Sequence, residues 1–363
     1  MRLLWLPWKF IIRRAARAHG FLDPFALLAH LRRFAQPSEV SEPTELLRAG
    51  AVLHARGLIN SRVIQHNLDW VWPYWVERQF DPEDDSFVPR AFSVTHINLT
   101  HRNWTAIGLP DSTELPIVDP RGLVTPFLDR WSLDGWVVTE DGRSLLPSRA
   151  KEATQVLKFE TGLAVTTSVA ENGLCLDAFA SVEPRSDIPT CQLGWEARSN
   201  VAGWLVIALR PCNPEGVSLT YSVRLSSDRM SWIVEKKPTI WFDAAADRHH
   251  ICRYRAGDVY IHLNDLSEEQ EGHCDIGMIT AAAMFKLEPG EAREVNASIP
   301  LEQKSVDISR YEADAEDSWR SSLATLCKLS VPDKHLEFLY EAAVRTLILH
   351  SSADVHAGPY TYK

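Results

Sequence analysis

The stretch Leu163–Phe179, LAVTTSVAENGLCLDAF, decides the fold. Leu163, Val165, Thr167 and Val169 recur at every second position, the period of a half-buried strand. Glu171-Asn172-Gly173 breaks the run, and Leu174–Phe179 resumes it. Asn-Gly between two such runs is the strongest short hairpin signal, because the tight turn needs positive φ at both central residues. The same texture spreads in both directions from here. Leu115–Leu128 turns at Asp119-Pro120-Arg121-Gly122, and Trp131–Leu146 turns at Glu140-Asp141-Gly142. Cys191–Arg210, Val217–Leu225, Ser231–Phe242, His250–Leu263, Ile279–Leu287 and Ala292–Leu301 supply further strands. Strands this numerous, with no helices between them, predict antiparallel sheets packed face to face from Ser93 to Pro300.

The flanks read differently. Residues 1–35 carry two basic amphipathic segments, with Arg13, Arg14 and Arg17 in the first and Arg32 and Arg33 near the end of the second. They read as helices docked on their own protein; a helix lying on a membrane surface is the competing reading. Met1–Trp8 is too short to span a bilayer. Gln36–Thr44 has the composition of a linker. Ala51–Gln65 reads as β-rich, and prolines 73, 82 and 89 argue against a long helix after it. Ser309–Leu329 has helical spacing around Trp319, Leu323 and Leu326. Val331-Pro332-Asp333 reads as the start of a second helix running to His350. The expected organisation is a helical segment and linker over 1–45, a mainly β domain over 46–304, and one or two helices over 305–363.

Composition excludes several classes. A net charge of −10 leaves no broad nucleic-acid footprint. The six cysteines form no C-x-x-C pair and no zinc spacing, and no export signal is evident, so the expected compartment is the reducing cytoplasm. Sequons at Asn98, Asn103 and Asn296 then carry no sugar. No Walker loop, dinucleotide fingerprint or Gly-x-Ser-x-Gly elbow is present. No cofactor is expected.

Asp69–Trp104 stands apart from the rest of the chain. It holds four of the thirteen tryptophans, His96 and His101, and the acidic run Asp81–Asp85. Aromatic rings beside hydrogen-bonding groups suit either a buried anchor or a grip on a sugar. His96 and His101 lie five apart, which strand alternation puts on opposite faces, so no metal site is expected. Asp69, beside Trp70 and Trp72, is the best-placed single acid, but glycoside hydrolysis needs two.

Three segments carry a resemblance: AVLHARGLINSRVIQHNLDWVWPYW at 51–75, THINLTHRNW at 95–104 and EAAVRTLILHSSADVHAGPYTYK at 341–363. Their order resembles the front part of bacterial glucoamylase-like and glycogen-debranching-like proteins, the six-hairpin glycosidases. The resemblance implies an N-terminal β-supersandwich followed by a helical barrel. It implies an α-glucan or oligosaccharide as partner, with Asp69, Trp72, His101, Arg102, Trp104, Tyr360 and Tyr362 as candidate sugar contacts. The family's acid and base lie in the barrel, of which this sequence contains only the opening helix and loop. No catalytic or metal-ligating residue is therefore expected. The reading is a truncated, non-catalytic front part of a carbohydrate-active enzyme. A stand-alone carbohydrate-binding module and a peripheral scaffold are the alternatives.

Overall fold

The computed structural model describes residues 66–78, 104–301 and 315–351 with short breaks, together with Ile59, Val63 and Ile64. All belong to the compact unit Gly57–Lys363. It is mainly β, with antiparallel sheets as the strand patterning predicts.

The first sheet is built from β1 (Thr105–Ala106), β2 (Ile117–Val118), β3 (Val124–Thr125), β4 (Ser132–Thr139) and β5 (Ser144–Leu145). The chain then crosses to the second sheet through β6 (Thr154–Lys158), β7 (Ala164–Glu171), β8 (Leu174–Arg185) and β9 (Ile188–Ser199). It returns to the first with β10 (Gly203–Arg210), and β11 (Cys212–Asn213) and β12 (Gly216–Val217) form a small ribbon. The second sheet gains β13 (Ser222–Leu225), β14 (Ser231–Val234) and β15 (Thr239–Phe242). Then β16 (Arg248–Cys252), β17 (Glu271–His273), β18 (Thr280–Leu287) and β19 (Ala292–Pro300) alternate between the two. The first sheet runs β1-β2-β3-β4-β10-β18-β16, with β5 also on β4; the second runs β17-β13-β14-β15-β19-β9-β8-β7-β6.

The hairpin that decided the fold forms as read. Asn172 and Gly173 sit at φ 54° and 78° between β7 and β8, and Glu171 faces Leu174 across the turn. The two sheets meet through alternate residues. Leu205, Ile207 and Leu209 of β10 join Leu133, Val137, Trp195 and Leu193 in the core, while Trp204, Val206 and Ala208 point to the other face. Close contact is extreme at Gly135, where a methyl group would fall 2.4 Å from the Trp195 ring of the facing sheet.

Two readings need correction. Ile59, Val63, Ile64 and His66 are helical, not extended. Val63 and Ile64 pack against the core from this helical stretch, while Ile59, four residues earlier, stays exposed. The run His250–Leu263 is a strand only to Cys252. Two short 3-10 helices follow, Tyr254–Ala256 and Val259–His262, and Gly257 at φ 96° turns the chain between them.

Among the described residues, two helices follow β19: α1 (Ala315–Leu323) and α2 (Lys334–Leu349). The Asp333 carboxylate accepts from the amides of His335 and Leu336, the N-cap foreseen in Val331-Pro332-Asp333. No helix among the described residues is long and apolar enough to cross a membrane.

Candidate functional site

Residues 69–78 of the Trp-rich stretch form a clasp: Val71 packs with Trp136, Trp204 and Val206 on the outer face of the first sheet, while Trp70, Trp72 and Trp75 join the main core. That outer face carries an uncommon charge. β10 reads GWLVIALR, and Arg210 ends it fully buried. Its guanidinium meets the Asp258 carboxylate through two bonds, Nη1 to Oδ1 at 2.6 Å and Nη2 to Oδ2 at 2.5 Å. Burial works against the Arg210 charge, and Asp258 more than offsets it, raising the arginine pKa. The pair grips one peptide group of the clasp from both sides. The Val71 amide donates to Asp258 Oδ2 at 2.8 Å, and Arg210 Nη2 donates to the Val71 carbonyl at 2.7 Å. The same guanidinium lies 5.9 Å from the Trp70 ring and 5.2 Å from that of Trp136.

The rest of the clasp is ordered by the tryptophans themselves. Trp70 and Trp72 stack with centroids 5.7 Å apart, and Trp72 Nε1 donates to the Asn67 carbonyl at 2.9 Å. Trp75 meets Trp104 edge-on at 5.3 Å. Arg149 closes the outer side, donating to Glu77 at 2.9 Å and to the Trp70 carbonyl at 2.8 Å.

This places three of the seven expected sugar contacts. Asp69 is exposed at the rim of the clasp. Trp72 is only 4% exposed, with its ring against Trp70, and Trp104 is half-buried against Trp75. Trp72 and Trp104 thus belong to one aromatic group but pack on different partners. His101, Arg102, Tyr360 and Tyr362 lie outside the described residues, as does His96.

Sequence reasoning missed the buried polar groups beneath the clasp. Asp134 lies on the outer face of β4 and accepts from Trp136 Nε1 at 2.7 Å. Burial pushes its pKa up to about 6. Asp119 accepts from the amides of Arg121 and Leu123 at 2.8 and 2.9 Å, and burial pushes it up to about 7. The available signal was a lone charge at the end of a wholly apolar strand, since a buried Arg demands a partner. Neither carboxyl faces an open cleft, and the space beside Asp134, next to Arg121 and Thr167, is too small to admit water. A glycosidic bond has no access to this pair.

An open cleft of about 610 Å³ lies between α1 and α2. Trp319, Leu323 and Leu326 form its apolar side, with Tyr340 and Glu341 opposite. Its acids are already engaged: Glu341 accepts from Arg345 Nη2 at 2.7 Å, and Glu337 accepts from Lys334 at 2.7 Å and from the Val331 amide at 2.9 Å. Arg345 in turn sits over Trp319 and Phe159 and donates to the Gly162 carbonyl, tying α2 to the sandwich. Among the described residues, no group of three or more His, Cys, Asp or Glu side chains is arranged to hold a metal ion.

No family model matches the chain, and no curated protein matches it. Solved structures give partial likenesses. A bacterial glucoamylase complexed with acarbose is 11% identical, with a TM-score of 0.44 over 63% of this chain and 39% of its own. A family GH92 α-mannosidase from Bacteroides thetaiotaomicron is 10% identical, with a TM-score of 0.30 over 69% of this chain and 39% of its own. The chain thus spans well under half the length of either.

Proposed function

We propose that the chain is a glycosidase-related β-sandwich domain that supports carbohydrate chemistry without performing it. In this reading it is the N-terminal, non-catalytic part of an enzyme acting on α-glucan such as glycogen or maltodextrin, and a helical catalytic barrel is its partner. The observation that carries the reading is the α1–α2 pair. Arg345 and Trp319 fasten one side of it to the sandwich, Trp319 donating to the Gly108 carbonyl at 3.2 Å. The other side of α2 presents Leu336, Leu339 and Leu347 to solvent, the last 67% exposed. These three fall on one helical stripe, the kind of surface a neighbouring helix covers. The sandwich's own buried acids, Asp119 and Asp134, are closed to substrate, which fits a supporting role. The test is glucose release from maltodextrin and glycogen by the purified chain. No turnover above a buffer blank is expected; robust turnover would overturn the reading.

A further inference from the structure

We propose that the outer face of the second sheet is a binding platform for a neutral polysaccharide, centred between Trp241 and Phe179. The idea goes beyond the reading above and shares with it only the carbohydrate class of the ligand.

Most tryptophans among the described residues are buried, but Trp241 is 52% exposed, and Phe179 is 37% exposed. Each stands on a central strand of the second sheet, β15 and β8, and not on a loop. The register orients both outward. Trp241 faces Ser298, which faces Gln192; Phe179 faces Gly194, which faces Asn296. The order β15-β19-β9-β8 sets the two aromatics three strand spacings apart, about 14 Å, and the register sets them two residues apart along the strands, about 16 Å in all, roughly the span of three sugar rings.

The floor between the rings is polar and pre-arranged by hydrogen bonds. Asn296 gives its Nδ2 protons to Asp243 at 2.8 Å and Glu294 at 3.2 Å. Its Oδ1 is thereby turned over Gly194, where a Cβ would sit only 2.8 Å away. Glycine keeps that stretch of floor low and leaves the oxygen in place to accept. Gln192 lies beside it, with its amide nitrogen just beneath the surface. It is 9% exposed, its Oε1 accepts from Ser298 at 2.8 Å, and its Nε2 has no hydrogen-bond partner among the described residues. A buried amide donor left unpaired costs stability unless something binds it. A fixed acceptor at the surface, with a buried unpaired donor beneath it, between two flat rings suits a chain of hydroxyl-bearing sugar rings, whose apolar faces stack on aromatics. Charged groups border the floor closely: Asp243 and Glu294 hold Asn296, Arg198 pairs with Glu196, and Arg185 donates to Ser298. The carboxylates Asp243, Glu294 and Glu196 around the floor repel an acidic polymer and so favour a neutral one.

The test is affinity electrophoresis of the full chain in gels containing glycogen, mannan or mixed-linkage glucan, with polygalacturonate as the acidic control. Trp241→Ala, Phe179→Ala and their double variant are run beside it, with denaturation midpoints confirming that each folds. At least one neutral polymer is expected to retard the chain, with affinity about tenfold weaker in each single variant. Gln192→Ala is expected to weaken it less. The proposal is overturned if no neutral polymer retards the chain, if the double variant is retarded as strongly, or if polygalacturonate retards it equally. Glucose release is read separately: turnover would sink the supporting role and leave the platform standing, and lost retardation would do the reverse.

Discussion

Trp70, Trp72 and Trp75 crowd into one short stretch, whereas Trp241 stands alone in its strand. In the first group the rings stack on each other and on Arg210, and the peptide between them is held by a buried ion pair. In the second the ring is half in solvent, above a floor of amides and hydroxyls. The crowded region has the composition of a sugar grip and the environment of a core. The sparse region has no compositional signal and the environment of a binding face. Aromatic density therefore reports where area is buried; exposure and unpaired neighbours report where something else can land.

The widest break in this contrast comes from the ion pair. Asp258→Ala leaves the Arg210 charge buried and unpaired and frees the Val71 amide. The expected loss is about 3–5 kcal/mol in urea denaturation. A loss under 1 kcal/mol would mean that the clasp is not fastened there.

Next in size is the pH dependence of stability. Asp119 and Asp134 are shifted up to about 7 and about 6, above the ordinary carboxyl value, so the folded chain keeps protons that the unfolded chain releases. Their contribution is complete below about pH 4 and is lost as pH rises through 6 and 7. His262, also raised, acts in the same direction; His249, lowered mainly by burial, opposes it. Urea midpoints are expected to fall from pH 5 to pH 8, and Asp134→Asn to flatten that slope. A midpoint that rises over this range would contradict the assignment.

Smaller again is the inter-sheet contact. Gly135→Ala pushes a methyl into the Trp195 ring, with an expected cost of about 1–3 kcal/mol by calorimetry or urea. A neutral result would show that the sheets can part there without strain.

Much of this architecture was legible in the chain. The Asn172-Gly173 hairpin and the Asp333 cap declared themselves because their chemistry is local: two positive φ angles in one case, a carboxylate two and three residues from its amides in the other. The helix through Ile59 and Val63 was misread because side-chain type was weighed above spacing. The buried pair was not legible, since Arg210 and Asp258 lie 48 residues apart and only tertiary folding joins them. The same holds for the Trp241–Phe179 face, whose members come from four strands and share no motif. Of the sugar contacts inferred by resemblance, Trp72 shows the limit most clearly. Its neighbours in sequence suggested a ligand, and its neighbours in space are another tryptophan and a backbone carbonyl.

The contrast is tested most directly by the urea denaturation midpoints of Trp72→Ala and Trp241→Ala, measured side by side. A clasp that anchors the sandwich predicts a loss of about 3–5 kcal/mol for Trp72→Ala. A ring that serves only the outer face predicts a change within about 0.5 kcal/mol for Trp241→Ala. Equal losses, or a Trp72→Ala chain as stable as the parent, would contradict the account.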